Sequence, residues 1–182
     1  MKNALIVYFS STGNTEKVAQ AIRTGLEESG VQVTMKKPRE AADLNYFNYD
    51  LVCVGSPAIE WHPAKPICDL LNKNLAIQRK EGKVKLSAPK IAGKNALVFI
   101  TYCGAHTGLD EAVPAGKYIG QYFAHLGFNI VGEWYIIGQW NASNPTMVNA
   151  NTQGRLGDIR GRPNAEDLQK VKQDAKELAN RI

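Results

Sequence analysis

The densest cluster of groups able to bind a ligand is a polar turn near the N-terminus, made of Ser10, Ser11, Thr12, Gly13, Asn14 and Thr15. Six consecutive apolar residues, 4–9, precede it, and apolar residues at helical spacing follow it. The turn therefore joins a buried strand to a helix N-terminus, where free N–H groups and the helix dipole attract an anion. The three hydroxyl groups before Gly13, together with a glycine that allows close approach, exceed what a helix cap needs. The turn predicts a site for a phosphate group that requires neither arginine nor a metal ion.

The rest of the chain repeats the alternation of strand and helix in which such a turn is found. Val18, Ile22 and Leu26 mark a first helix that ends at Gly30, and residues 31–36 alternate as a second strand. Further strands are predicted at 51–54, 96–100 and 128–137, and helices at 64–72, around 119–126, and after Asn164 as N-cap. Residues 73–94 and 138–163 lack periodicity and are interpreted as a mostly exposed basic loop and a long connection. This pattern predicts an α/β fold with a mainly parallel sheet.

Two further loops are expected to meet the first one, because ligands of parallel sheets bind beyond the carboxyl ends of the strands. The loop after the third strand continues from Gly55 and Ser56 through Pro57, Ala58, Ile59, Glu60, Trp61 and His62. The loop after the fourth strand contains Thr101, Tyr102, Cys103 and Gly104. We expect all three loops to line a single site.

Composition excludes several other classes of protein. A chain of 182 residues that is 44% hydrophobic is expected to form one folded domain, over residues 1–182. No apolar run is long enough to span a bilayer, and no signal peptide is recognisable. The three cysteines form no CxxC pair, which indicates reduced thiols in a cytoplasmic protein and no zinc or iron–sulfur site. The net charge of +5 is not accompanied by a recognition helix or aromatic platform, so nucleic acid is not an expected partner.

The segment Tyr8-Phe9-Ser10-Ser11-Thr12-Gly13-Asn14-Thr15 resembles the phosphate loop of the flavodoxin family. The GxxxxGK[ST] and GxGxxG patterns of other phosphate-binding loops are absent. The resemblance implies a flavodoxin-like three-layer sandwich, with a five-stranded parallel sheet in the order 2-1-3-4-5 and helices on both faces. It also implies that FMN is the cofactor and that residues 10–15, 57–62 and 101–104 bind it.

The resemblance implies that each of the three loops binds a different part of FMN. Residues 10–15 would hold the phosphate, Trp61 would stack on one face of the flavin, and residues 101–104 would meet its pyrimidine end. Trp61 could instead be half-buried against the next helix, and His62 could be a polar loop residue. Cys103 is interpreted as a small residue tolerated near the flavin, not as a nucleophile. No catalytic residue and no metal ligand are predicted.

The resemblance leaves two redox functions open. The first is electron transfer between redox partners, and the alternative is an FMN-dependent NAD(P)H:quinone oxidoreductase. One-electron flavodoxins often carry a glycine in the second loop, but this chain has none between Ser56 and Ile77, which favours two-electron chemistry. A non-redox binding protein on the same fold is a third hypothesis.

The basic charge separates this chain from the many acidic flavodoxins. It is concentrated in residues 73–94 and again at Arg155, Arg160 and Arg162. These side chains are either solvated or positioned to attract an acidic redox protein or the phosphates of a nicotinamide cofactor. The oligomeric state is open, because the aromatic residues after position 133 could pack in the core or form a subunit surface: Trp134, Tyr135 and Trp140.

Overall fold

A parallel sheet forms the centre of the computed structural model, which describes residues 1–141, 147 and 149–182. Its parallel strands are β1 (Asn3–Tyr8), β2 (Gln32–Lys36), β3 (Leu51–Ile59), β5 (Asn95–Tyr102) and β6 (Asn129–Ile137). They lie in the order β2-β1-β3-β5-β6, and every neighbouring pair is parallel. A short strand, β4 (His62–Pro63), pairs antiparallel with the end of β3. Without β4, this order is the predicted 2-1-3-4-5, so the flavodoxin-like α/β fold is confirmed.

The helices are α1 (Asn14–Glu28), α2 (Lys65–Lys80), α3 (Val113–His125), α4 (Ala150–Gln153) and α5 (Ala165–Ala179). Helices α1 and α5 cover one face of the sheet, where Ile22 and Val171 pack with Ile6. Helices α2 and α3 cover the other face, where Ile67 and Phe123 belong to the same buried cluster as the next residue of β1, Val7. Successive strand residues therefore enter different cores, as alternation in a strand requires. Both faces of the sheet are covered, which is why its strands read as continuous apolar runs.

Helix α2 is longer than predicted, since it continues to Lys80 instead of ending at residue 72. The missed half keeps a buried stripe, but Asn74 and Gln78 occupy it in place of apolar residues. Asn74 is nevertheless satisfied, because its Oδ1 accepts a hydrogen bond from Tyr122 of α3. The interpretation of residues 73–94 as a loop was therefore wrong for 73–80, because polar side chains hid the helical period.

Strand β3 also runs five residues beyond the predicted end at Val54. Gly55 is required there, since a Cβ would lie 2.0 Å from the ring of Phe99. Pro57 is tolerated because the pairing of β1 with β3 ends at Tyr8 and Gly55, so the strand has lost that neighbour before the proline. The extension carries β3 past the edge of the sheet, where it turns into β4.

The predicted N-cap at Asn164 is confirmed, and it forms a capping box with Asp167. Within the predicted connection 138–163, the structure adds the single-turn helix α4. No helix in the described ranges combines the length and apolar character needed to cross a membrane.

Candidate functional site

A cleft of about 200 Å³ lies where the parallel strands end at their carboxyl edge. All three predicted loops contribute to it, and a fourth segment joins them. From the predicted set, the cleft is lined by Ser10, Ser11, Thr12, Asn14, Thr15, Pro57, Ala58, Ile59, Thr101, Tyr102 and Cys103. The four lining residues that were not predicted are Gly138, Gln139, Trp140 and Asn141. The sheet thus brings together residues that are more than a hundred positions apart in sequence.

The first loop presents an uncapped helix N-terminus to this cleft. Gly13 is the N-cap of α1, with a φ of 95° that favours glycine, and no side chain caps the helix. The backbone N–H of Gly13 donates to Ser10 Oγ at 3.1 Å. Ser11 and Thr12 are exposed beside it. The first turn of α1 therefore offers N–H groups and hydroxyls that a bound anion can satisfy.

The two last residues of this loop are buried and connect it to the neighbouring strands. Thr15 Oγ1 and Thr101 Oγ1 lie 2.7 Å apart in a buried hydroxyl–hydroxyl hydrogen bond. Asn14 Nδ2 donates to the carbonyl of Gln139 at 2.9 Å. These bonds fix the start of α1 against the ends of β5 and β6, so the cleft is held at a defined width.

The second loop is a tight hairpin between β3 and β4. Ile59 pairs with His62, and the two residues between them, Glu60 and Trp61, have φ values of 47° and 66°. A two-residue turn with positive φ at both positions normally carries Asn and Gly, so this backbone is strained. His62 Nδ1 donates to the carbonyl of Glu60 at 2.7 Å.

The side chains at the tip of this hairpin lie apart from the cleft wall. Trp61 is 60% exposed, and Glu60 and His62 are also exposed. None of the three lines the cleft. Trp61 is therefore not half-buried against α2, and a stacking role for its ring stays a prediction.

The third loop begins two residues later than predicted, because β5 includes Thr101 and Tyr102. Burial raises the pKa of the half-buried Cys103 thiol, which disfavours the thiolate that a nucleophile needs. Burial likewise raises the pKa of Tyr102, against a smaller lowering by Arg162. Gly104 does not line the cleft but shapes the loop, since a Cβ there would lie 2.7 Å from the carbonyl oxygen of Gly108. The two titratable side chains that line the cleft here, those of Tyr102 and Cys103, are thus neutral at pH 7.

The fourth segment, residues 138–141, directly follows β6 and was predicted only as part of a long connection. Gln139 accepts from Asn14, and its own N–H donates to the carbonyl of Arg162 at 2.9 Å. Asn151 Oδ1 accepts from the N–H of Trp140 at 2.6 Å, and Asn151 Nδ2 donates to the Trp140 carbonyl at 2.9 Å. The signal for this segment was its place after a parallel strand at the same sheet edge. Of the three aromatic residues considered for a subunit surface, Trp134 and Tyr135 pack against the two cores, and Trp140 lines the cleft.

Charged side chains stabilise the first loop from outside the cleft. Tyr8 donates from its hydroxyl to Glu16, and Lys37 Nζ lies 3.0 Å from the same carboxylate. The hydrogen bond from Tyr8, followed by that from Lys37, lowers the pKa of Glu16. Lys37 Nζ also lies 3.7 Å from the centroid of the Tyr8 ring. This network ties the end of β1 to the first turn of α1, so both ends of the loop are fixed.

The arrangement suits an anion with an apolar, flat extension. Every described residue that lines the cleft is uncharged, so the anion would be held by N–H groups, hydroxyls and the helix dipole. Beyond the donors of residues 10–12, the walls become apolar at Pro57, Ala58 and Ile59. A ligand with a phosphate at one end and a planar ring system at the other fits this division.

Comparisons with known proteins agree with the fold. A stretch of 55 residues is 36% identical to an "NAD(P)H dehydrogenase (quinone)" of Rhizobium rhizogenes, covering 28% of each chain. Over 152 residues the chain is 22% identical to "NAD(P)H dehydrogenase (quinone) 3" of Rhizobium meliloti, covering 72% of this chain and 66% of that protein. The alignments thus span less than two thirds of either relative.

The fold is similar to that of flavodoxin 1 from Bacillus cereus, with a TM-score of 0.67, 14% identity, and coverage of 100% of this chain and 99% of the other. The sequence model of the family described as "Flavodoxin" matches residues 6–171, from the first strand to the last helix. The chain belongs to the flavodoxin family.

Proposed function

We propose that this protein binds FMN in the cleft and transfers electrons between redox partners. The observation that carries the proposal is the uncapped start of α1, which faces a cleft lined by hydroxyls and uncharged side chains. A phosphate monoester is a strong acceptor that suits such donors, and the positive end of the helix dipole balances part of its charge. The residues present therefore fit FMN.

The chain's own residues would divide the work of holding it. Residues 10–15 would bind the phosphate, and Thr101, Tyr102 and Cys103 would border the ring together with Pro57, Ala58 and Ile59. When bound, FMN supplies reversible one- and two-electron redox chemistry that the side chains do not provide. The protein positions the ring and limits its contact with water on the buried side. No general acid or base is required from the chain.

The geometry of the hairpin supports a second function, that of an FMN-dependent NAD(P)H:quinone oxidoreductase. Turning the peptide after Glu60 would break the 2.7 Å hydrogen bond from His62, and it would move a turn fixed by the pairing of Ile59 with His62. Pro57 and Pro63 stiffen the strands on each side. A loop that resists rearrangement cannot change its hydrogen bonds when the protonation of the flavin changes. This rigidity favours two-electron over one-electron transfer. The two Rhizobium relatives are named for this activity.

A spectroscopic titration separates these functions. The purified protein is stripped of bound flavin, loaded with FMN, and reduced anaerobically with NAD(P)H and, separately, with dithionite. Rapid bleaching by NAD(P)H, followed by reoxidation with a quinone, supports the oxidoreductase. Bleaching by dithionite but not by NAD(P)H supports electron transfer from a partner protein. A protein that does not bind FMN overturns both.

We propose a cytoplasmic location, because unpaired cysteines are typical of a reducing compartment. Cys53, Cys68 and Cys103 are free thiols in the structure. The partners we propose are small-molecule substrates or acidic redox proteins, and not nucleic acid or a membrane.

A further inference from the structure

The excess positive charge of the chain lies in one segment that the proposed FMN site does not use. Residues 79–94 carry six Lys and Arg side chains and one carboxylate, that of Glu81. Their net charge of +5 equals that of the whole chain, so the charges of all other residues cancel. The segment runs from the last turn of α2 to the start of β5, at the edge of the sheet opposite the cleft.

This segment forms one wall of an apolar pocket of about 490 Å³, which we call the distal pocket. The size lies in the range of pockets that bind ligands in proteins. Lys83 and Lys85 line it, and no carboxylate does. The apolar side chains of its lining are Phe47, Ala88, Pro89, Ile91 and Leu126. The distal pocket therefore combines an apolar interior with a positive rim.

A second pocket, of about 460 Å³, adjoins the distal pocket, because Lys85, Ala88 and His125 line both. Arg79 and Leu86 also line it, again without a carboxylate. Leu86 is 97% exposed, on a turn that is closed by the N–H of Ala88 donating to the carbonyl of Lys85 at 3.1 Å. We call the two pockets together the distal surface. It presents apolar recesses between cationic side chains.

Three cations of the segment are available to an anionic partner. Arg79, Lys80 and Lys85 are exposed and make no ion pair within the described ranges. The other three are engaged, one in an ion pair with Glu81 and two in hydrogen bonds to backbone carbonyls. The C-termini of α2 and α3 attract cations with only about half a negative charge each. Helix dipoles thus account for about one of the five excess charges.

We propose that the distal surface binds an acidic polypeptide segment of a partner protein, with an apolar side chain of that segment in the distal pocket. The available cations are spread over residues 79–85, which matches several carboxylates along a chain better than one small anion. The aromatic ring at this surface, that of Phe47, is half-buried, and Lys83 Nζ lies 5.0 Å from its centroid. That ring is therefore not open to base stacking, and the surface favours a peptide over a nucleic acid.

The distal surface would hold a partner without conveying electrons to it. The eight residues of β5 separate the two edges of the sheet by roughly 25–30 Å. The inference thus goes beyond the proposed function, because binding at this surface does not require FMN. A partner tethered here by one segment remains able to bring another part of its surface to the cleft.

A labelled peptide, Asp-Glu-Asp-Leu-Glu-Asp-Glu, tests the chemistry of the partner. Its fluorescence anisotropy is followed as the full-length chain is added. Saturable binding is expected, and it should weaken by roughly tenfold or more when the salt concentration rises from about 0.05 M to about 0.5 M. Replacing the Leu of the peptide by Ser should weaken binding by roughly fivefold or more, because an apolar side chain no longer fills the distal pocket. A peptide with Asn and Gln in place of its acidic residues should not bind.

Variants of the protein locate the binding site. The double variant Arg79→Gln with Lys85→Gln is expected to bind the acidic peptide roughly fivefold or more weakly. The matched control, Lys17→Gln with Lys170→Gln, removes the same charge from α1 and α5 on the other face of the sheet, and should change the affinity by less than about twofold. Ile91→Ser should weaken binding of the Leu peptide and leave that of the Ser peptide unchanged.

The outcomes separate this inference from the proposed function. Absence of peptide binding at about 1 mM protein, or an equal loss in the double variant and its control, overturns the inference and leaves FMN binding untouched. Vesicles of phosphatidylserine and phosphatidylcholine that bind wild type but not Leu86→Ser, with no binding of the peptide, overturn it in favour of a membrane. Flavin-free and FMN-loaded protein should bind the peptide equally, so a chain that binds the peptide but not FMN overturns only the proposed function.

Discussion

Replacing the hydroxyls of Thr15 and Thr101, one at a time and together, should show that they stabilise the fold as a pair. Both side chains are almost completely buried, at 1% and 3% exposure, and their hydroxyl oxygens lie 2.7 Å apart. Thr101→Val keeps the shape of the side chain but leaves the Thr15 hydroxyl buried without this partner. The expected loss in free energy of unfolding is about 1–3 kcal/mol, and Thr15→Val should cost a similar amount for the same reason. In the double variant no unpaired hydroxyl remains, so its cost should be smaller than the sum, about 0–1.5 kcal/mol.

The assay is equilibrium unfolding in urea of the flavin-free protein, with the midpoint and slope measured for all four members of the cycle. Thr24→Val is the matched control, because the Thr24 hydroxyl bonds the Gln20 carbonyl at 2.9 Å on the exposed side of the same helix. That substitution should change the stability by no more than about 0.5 kcal/mol. A double variant that loses the full sum of the single losses would refute the reasoning, since it would show that the two hydroxyls act independently.

Three further predictions test the turns and the charges around the cleft. Gly13→Ala places a Cβ at a φ of 95° and should lower the free energy of unfolding by about 1–2 kcal/mol. Gly30→Ala, at a φ of 79°, should lower it by the same amount. Only Gly13→Ala should also weaken FMN binding. Glu60→Asn should raise the urea midpoint, by roughly 0.5–1 kcal/mol in stability, because Asn tolerates the left-handed backbone better than Glu; a lower midpoint would contradict the strain assigned to the hairpin. The folded-state pKa of Glu16 lies below its ordinary value of 4.5, so its stabilisation is present above that pH and is lost as the pH falls through the folded pKa. Unfolding midpoints of the wild type and Glu16→Gln should therefore converge between pH 7 and pH 3, and a constant gap would exclude this source of stability.

The sequence could predict the sheet and the first loop because both depend on local patterns. Residues 4–8 are buried on both faces of the sheet, and the polar turn that follows has a distinctive composition. The order of the strands and the meeting of the loops followed from the family resemblance and from the rule that parallel strands end at one edge.

What the sequence could not predict depends on contacts between distant residues. Asn74 and Gln78 occupy the buried stripe of α2, and only the partner across the helix interface, Tyr122, explains why a polar residue is stable there. The bond from Asn14 to Gln139 joins residues 125 positions apart. No periodicity marks residues 138–141, so their place in the cleft became visible only in three dimensions.

The fold also changes the interpretation of the basic charge, because it places most of the basic side chains away from the cleft. Helix α2 starts beside the hairpin at the carboxyl edge of the sheet and runs 16 residues, about 24 Å, towards the opposite edge. Lys94 directly precedes β5 and Cys103 directly follows it, so the eight residues of this strand set them roughly 25–30 Å apart. That distance is about three Debye lengths at physiological salt, so residues 81–94 act only weakly on a charge in the cleft.

The arginines near the cleft are a smaller and partly neutralised group. Arg160 pairs with Asp158 at 2.6 Å, and Arg162 pairs with Asp167. Arg155 makes no ion pair within the described part of the chain, and its backbone N–H donates to the carbonyl of Ala105 at 2.8 Å, next to the third loop. Of these three arginines, Arg155 is therefore the one whose charge is free to attract an acidic partner or a nicotinamide phosphate towards the cleft. The charge that distinguishes the chain from acidic flavodoxins is for the most part a property of the far edge of the sheet, and it does not set the electrostatics of the site.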